Sequence, residues 1–173
     1  MKKVLLISLL CLAIIACGKK EEVKQEVIET GNVNKEEAFG VPNPFEIVDT
    51  LEEAAKIAGF SLEAPTEYAD YKTTLIQVIE DDMIEVIYFD DVEKTHEGLR
   101  IRKANGTDDI SGDYNEYKEE NVVKVGELEV TEKGNDGTIS VATWTDGTYS
   151  YSINVEEALL NADDISDLIS NIK

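Results

Sequence analysis

The N-terminal segment constrains this chain more than any other feature, because it determines on which side of a membrane the remaining residues fold. Lys2 and Lys3 are followed by a largely apolar run from Val4 to Ile15, which is typical of an export signal. A transmembrane helix needs about 20 predominantly apolar residues, and this run is twelve residues long. We therefore predict that the run is removed on export.

The run ends in Ile14-Ile15-Ala16-Cys17, which resembles the lipobox of bacterial lipoproteins. The resemblance implies a signal peptide over residues 1–16 and a diacylglycerol thioether on Cys17, the first mature residue. Two acyl chains on one residue anchor a protein stably, so we expect a lipid-anchored protein on the extracytoplasmic face of the cell membrane. The alternative is an ordinary secretory signal that is followed by a cysteine by chance.

The net charge of the chain limits the classes of partner that it can bind. It has 16 Lys and Arg against 37 Asp and Glu, a net charge of −21, and removal of Lys2 and Lys3 with the signal makes this −23. Such a field repels nucleic acid and anionic lipid headgroups, so the membrane contact is predicted to run through the lipid on Cys17 alone. The negative charge either keeps the protein soluble or attracts a partner at the cell envelope, which would be a protein or another cationic molecule.

The mature chain divides into a tether and one domain. Residues 17–44 hold the lipidated cysteine and a polar, flexible stretch, and residues 45–173 are long enough for a single hydrophobic core. Cys11 lies in the signal and Cys17 would be alkylated. Disulfides are therefore excluded, and the fold depends on apolar packing.

The domain is predicted to be α+β, an antiparallel meander sheet of about six to seven strands with an N-terminal and a C-terminal helix packed on one side. The first helix is capped by Asp49 or Thr50 and ends at Gly59, and the last is capped by Asn161 or Asp163. Period-two patterns separated by short turns predict strands over residues 75–79, 83–89, 99–103, 122–125, 128–131, 139–145 and 148–155.

Asp146-Gly147 is the strongest turn signal in the sequence. If these two residues are the centre of a hairpin, Trp144 lies opposite Tyr149 and Ala142 lies opposite Tyr151. One face of the hairpin is then aromatic and is expected to point into the core, while Thr143, Ser150 and Ser152 point to the other face.

Four stretches of the domain resemble the domain of unknown function 4367 family. They are Thr50-Leu51-Glu52-Glu53-Ala54-Ala55, Val86-Ile87-Tyr88, Ser111-Gly112-Asp113-Tyr114, and Ala142-Thr143-Trp144 with the following Asp146-Gly147 and Tyr149-Ser150-Tyr151. The resemblance spans residues 45–173 and implies exported lipoproteins and the extracytoplasmic parts of sensor or anti-sigma-like proteins. It favours binding or sensing and implies no reaction.

No catalytic motif stands out, and neither a catalytic residue nor a cofactor is predicted. His96 is the sole histidine and lies in a charged stretch that reads as a solvated loop. Calcium remains an alternative, since two acidic stretches offer the oxygen ligands that this ion prefers. They are Asp108, Asp109 and Asp113 in one stretch and Asp90, Asp91 and Glu93 in the other; solvated acidic loops without an ion would have the same composition.

Arg100 and Arg102 are the remaining candidate binding residues. They alternate with Leu99 and Ile101, so a strand that buries the two aliphatic side chains projects both guanidinium groups from its other face. The pair either neutralises carboxylates on neighbouring strands, such as Glu85, or binds an anionic group of a partner.

These features together predict a membrane-anchored, extracytoplasmic lipoprotein that is not an enzyme and acts as an interaction or sensing module. The alternative from another class is a carrier of a lipid or small hydrophobic molecule, in which a curved, half-barrel-like sheet holds an apolar cavity. A calcium-binding surface domain is a third possibility.

Overall fold

The computed structural model describes residues 42–156 and 160–173. The predicted signal peptide, Cys17 and most of the predicted tether lie outside the described residues. Within the described ranges, none of the helices has the length and apolar character that crossing a membrane requires.

The described chain contains eight strands and two helices. In chain order they are β1 (Glu46–Val48), α1 (Leu51–Ala58), β2 (Thr73–Ile79), β3 (Met83–Phe89), β4 (Glu97–Asn105), β5 (Glu119–Val125), β6 (Leu128–Asn135), β7 (Thr138–Thr145), β8 (Tyr149–Val155) and α2 (Ala162–Ile169). All strand pairs are antiparallel, so the predicted α+β class with an antiparallel sheet is confirmed.

The sheet has eight strands rather than six to seven, and it is not one continuous meander. Its order is β1-β2-β3-β4-β8-β7-β6-β5, which is two four-stranded meanders joined through β4 and β8. The chain leaves β4 at the centre and returns at the far edge in β5. The intervening residues 106–118 form a long connection whose course depends on tertiary contacts, which periodicity along the sequence does not reveal.

Both helices begin with the side-chain caps that the sequence predicts. The Thr50 hydroxyl accepts a hydrogen bond from the Glu53 amide at 3.1 Å, and Gly59 ends α1 with φ of 79°. Asn161 caps α2, and Asp164 completes a capping box by accepting from the Asn161 amide. Thr50 and Asn161, rather than Asp49 and Asp163, are therefore the caps.

The two helices cover the same face of the sheet, here called the helix face. Their buried side chains join one hydrophobic cluster with inward residues of seven strands, which confirms the expected arrangement. The cluster includes Ala54, Ala58, Ile165, Leu168 and Ile169 from the helices and Val78, Ile84, Val86, Tyr88, Leu99, Ile101, Val125, Val130, Ala142, Trp144, Tyr151, Ile153 and Val155 from the sheet.

The predicted register of the last hairpin was wrong by two residues. Trp144 lies opposite Tyr151, not Tyr149, and Ala142 lies opposite Ile153. The Asp146 amide donates to the Tyr149 carbonyl at 3.2 Å, so the two central residues are Gly147 and Thr148. Gly147 has φ of 93° at the first central position, where type II′ turns require glycine. Because the shift is an even number, Tyr151 stays on the core face.

Candidate functional site

The second face of the sheet, opposite the helices, carries the charged residues predicted for binding. Arg102 lies directly opposite Glu85 on β3 and Ser152 on β8, while Arg100 lies opposite Asn154 on β8. These side chains share the second face because residues two apart along a strand point the same way. Residues 110 and 111 of the long connection reach across this part of the face to Arg102.

One carboxylate lies between the two arginines. Glu85 is 1% exposed, and it accepts hydrogen bonds from the Arg102 Nε and from the Gln77 side-chain amide. The Arg100 Nε lies 3.5 Å from the same carboxylate. The sequence named Glu85 as a neutralising partner of the arginines, and the structure brings the three residues together.

Arg102 also holds the long connection in place. Its Nη1 donates to the carbonyl oxygens of Ile110 at 3.0 Å and Ser111 at 2.6 Å, and the side-chain amide of Asn154 donates to the same Ser111 carbonyl at 3.2 Å. Buried backbone carbonyls need such donors, since they have lost water. Arg102 thus links the sheet to the segment that covers it.

Arg100 has a second carboxylate partner. Its Nη2 donates to Glu97, and although burial opposes the effect, Glu97 and Glu85 raise the pKa of the Arg100 guanidinium above its ordinary value. The positive charges of the two arginines are therefore balanced by the negative charges of the two glutamates within this cluster. The geometry accounts for the arginines by internal pairing, and recognition of a partner's anion by Arg100 and Arg102 stays a prediction.

The cluster retains polar atoms without a hydrogen-bond partner among the described residues. They are Glu97 Oε1, Arg100 Nε, Ser152 Oγ and Asn154 Oδ1, all fully buried. The sequence contains no signal for this burial, because serine and asparagine in a period-two strand are expected to face solvent. Burial by the long connection changes their environment.

Beyond the covered half, the second face is open. A depression of about 850 Å³ lies over the β5-β6-β7-β8 half of the sheet. Five carboxylates and one lysine line it, and we call it the acidic groove. Its lining is Thr107, Asp108, Asp109, Val122, Lys124, Glu127, Leu128, Glu129, Thr131, Thr143, Trp144, Thr145, Asp146, Ser150 and Tyr151.

A second depression of about 410 Å³ lies beside the start of α1. Its apolar lining comes from Leu51, Pro65, Ile76 and Val86, and Asp49, Thr50 and Glu52 contribute polar groups. It has the size of a small-ligand pocket. It lies on the helix face, and it bears on the predicted carrier role.

The first predicted calcium stretch is divided between two places. Asp108 and Asp109 line the acidic groove, whereas Asp113 lines a separate depression with Asn154. Asp113 accepts hydrogen bonds from the Asn115 amide and the Tyr117 hydroxyl; these bonds lower the pKa of its carboxyl against the opposing effect of burial. The carboxylate therefore has local donors that account for its charge.

In the second acidic stretch, Asp90 and Asp91 approach His96 rather than Glu93. One potential ligand atom of each lies within 4.8 Å of the others, the single such group in the described part of the chain. Asp91 is engaged by the amide and hydroxyl of Thr95, and these bonds lower the pKa of its carboxyl. An imidazole is not the oxygen ligand that calcium prefers, so the arrangement differs from the predicted one.

Lys103 forms a buried contact that the sequence did not suggest. It is 6% exposed on the helix face, where its Nζ donates to the Ser61 carbonyl at 2.7 Å. The ammonium lies 4.5 Å from the ring centroid of Tyr149 and 5.3 Å from that of Tyr151. Burial lowers the pKa of Lys103, and the aromatic faces stabilise its charged form.

No family model, curated protein or solved structure matches the chain. The resemblance to the domain of unknown function 4367 family stays a prediction.

Proposed function

We propose that the protein is a membrane-anchored, extracytoplasmic lipoprotein whose domain is a non-enzymatic interaction or sensing module. The observation that carries the proposal is the acidic groove, an open concave surface on the face that the helices leave free. The anchor is argued from the sequence, in which Cys17 follows a short apolar run. The tether would hold this groove away from the membrane.

The groove suits a cationic segment of a partner protein. Thr131 and Thr143 are cross-strand partners on its floor and offer hydroxyl groups, and Val122 adds an apolar side chain that is 68% exposed. Carboxylates outnumber lysines in the lining by five to one, and Lys124 is that lysine. Such a charge pattern accelerates association with a positively charged partner, and this acceleration weakens as the salt concentration rises.

In-cell cross-linking of the full chain tests this proposal. The double variant Thr131→Arg with Thr143→Arg fills the groove and adds positive charge, and we expect it to lose the partner captured by the wild type. Ser170→Arg with Asn171→Arg, at exposed positions outside both depressions, is the matched control and should retain the partner. Equal capture by all three proteins, at melting temperatures that show intact folds, would contradict the proposal.

The apolar pocket beside α1 favours a second candidate, a carrier of a small hydrophobic molecule. Leu51, Ile76 and Val86 would contact the bound molecule. Native mass spectrometry of the full chain separates the candidates, since a carrier would retain a non-covalent ligand that Ile76→Trp displaces. A spectrum that contains the apo mass alone would argue against the carrier.

A further inference from the structure

Strand β5 forms one edge of the sheet and pairs with β6 alone. Its seven residues leave about 24 Å of backbone with N–H and C=O groups directed away from the sheet. Residues 119–122 and 124 are exposed, and Val122 is 68% exposed. This edge can accept another strand without rearrangement of the described fold.

The sequence of β5 is self-complementary about its central residue. Glu119–Val125 reads EENVVKV, so reversal about Val122 places Glu120 opposite Lys124 and Asn121 opposite Val123. Opposite charges that face each other across antiparallel strands stabilise the pair, and like charges destabilise it. Neither Glu120 nor Lys124 forms an ion pair with another residue in the described ranges.

We propose that two copies of this chain pair antiparallel through their β5 edges, with Val122 on the two-fold axis. In an antiparallel edge strand, every second residue directs its backbone N–H and C=O groups to the free edge. In a two-fold symmetric pair each such residue has to lie opposite another such residue, so the axis passes through a residue and not between two residues. Centring it on Asn121 would place Lys118 opposite Lys124. Centring it on Val123 would leave Glu120 opposite Gly126, outside the strand.

The neighbouring strand extends the same charge order. Lys124 is the cross-strand partner of Glu129 on β6, and Glu120 is the partner of Lys133. In the dimer, two rows of charged side chains would therefore cross four strands. Each row would run from Glu129 and Lys124 of one copy to Glu120 and Lys133 of the second copy, with negative and positive charges alternating. Between these rows, the two Val122 side chains would contact each other, flanked by Thr131.

Two edge strands form a small interface, below the area that stable dimers usually bury. We expect a weak dimer in solution that concentrated protein populates. Two lipid-anchored copies in one membrane would meet at a higher effective concentration. The pairing itself uses β5 alone, so it does not depend on the anchor.

Cysteine cross-linking measures the pairing directly. Residues 42–173 contain no native cysteine, and Val122→Cys places two thiols on the axis, within the distance that a disulfide spans. Val92→Cys, at a position that is 73% exposed in a loop, is the matched control, and the wild-type full chain gives the background from Cys11 and Cys17. We expect at least tenfold faster dimer formation at residue 122, and equal rates would overturn the proposal.

A charge swap then tests the register. Adding Lys124→Glu to Val122→Cys should slow cross-linking about tenfold, because both Glu120–Lys124 pairs become repulsive. Adding Glu120→Lys restores opposite charges between the two copies. With Glu129→Lys and Lys133→Glu in the same protein, which keep the cross-strand pairs with β6 opposite in charge, this double swap should restore the rate. Lys56→Glu on α1 carries the same charge change away from the edge and should leave the rate unchanged. Failure of the double swap to recover the rate would exclude this register.

Discussion

Trp144 and Tyr151 stack face to face across β7 and β8, with ring centroids 5.1 Å apart and an angle of 2° between the planes. Both residues are at least 94% buried. The Tyr151 hydroxyl donates to the Asp146 carboxylate at 2.9 Å, so the stack also fixes the hairpin turn. The hairpin and the hydrophobic core are therefore stabilised by the same pair of rings.

Replacement of Trp144 by alanine should lower the free energy of unfolding by about 3 kcal/mol or more, since it removes a buried ring and leaves a cavity. Urea denaturation of the full chain measures this change. Tyr114→Ala, at a position that is 95% exposed, should change the free energy of unfolding by less than about 0.5 kcal/mol. Equal stability of the two variants would place the indole ring at the surface.

Local signals in the sequence predicted the elements better than their arrangement. The caps Thr50 and Asn161 use their own neighbouring amides, and the period-two stretches became strands because alternate residues pack on the helices. The strand β1 has three residues, too few for periodicity to appear. The β4–β8 pairing joins residues about 50 positions apart, and no local pattern encodes such a contact.

Glu132 should make the protein less stable as the pH rises. It is 3% exposed, its Oε1 has no hydrogen-bond partner among the described residues, and burial raises its pKa. A carboxyl with a raised folded-state pKa stabilises the fold fully below its unfolded pKa of about 4.3, and that contribution is lost as pH rises through the folded value.

Glu132→Gln removes this titration and tests the prediction. The variant should be more stable than the wild type at neutral pH, with the difference decreasing toward low pH, when melting temperatures are compared across the range. Glu129→Gln, on the same strand but exposed, is the control and should show a smaller pH-dependent difference. A difference that stays constant with pH would mean that Glu132 is ionised without cost in the fold.

Loss of Arg102 should destabilise the protein more than loss of Arg100. Arg102→Ala leaves Glu85 buried without its main partner and frees the Ile110 and Ser111 carbonyls, which we expect to cost about 3–5 kcal/mol. The Arg100 side chain is 27% exposed against 12% for Arg102, so water compensates part of its loss. Chemical denaturation of both alanine variants measures the order.

A double-mutant cycle between Glu85→Gln and Arg102→Ala measures the interaction energy between the two side chains. We expect a coupling above about 1 kcal/mol, as measured for residues that share a buried network. Independent, additive effects would contradict the pairing. If Arg100→Ala instead lost a captured partner while its melting temperature stayed unchanged, the predicted anion-binding role would gain support.

The candidate site was less predictable than the fold. The sequence identified Arg100, Arg102 and Glu85 as one group, because strand alternation fixes which side chains share a face. It did not indicate that Ser152 would be buried, since that depends on residues 110 and 111 reaching across the sheet. The acidic groove likewise arises from strands that the chain brings together only in three dimensions.

Membrane fractionation of the full chain and its Cys17→Ala variant tests the claim that a lipid on Cys17 holds an interaction module at the membrane. The wild type should sediment with membranes and move into the detergent phase on partitioning, because a diacylglycerol thioether provides two acyl chains. Cys17→Ala should abolish this association and leave the intact chain in the aqueous fraction. Unchanged membrane association of Cys17→Ala would contradict the claim.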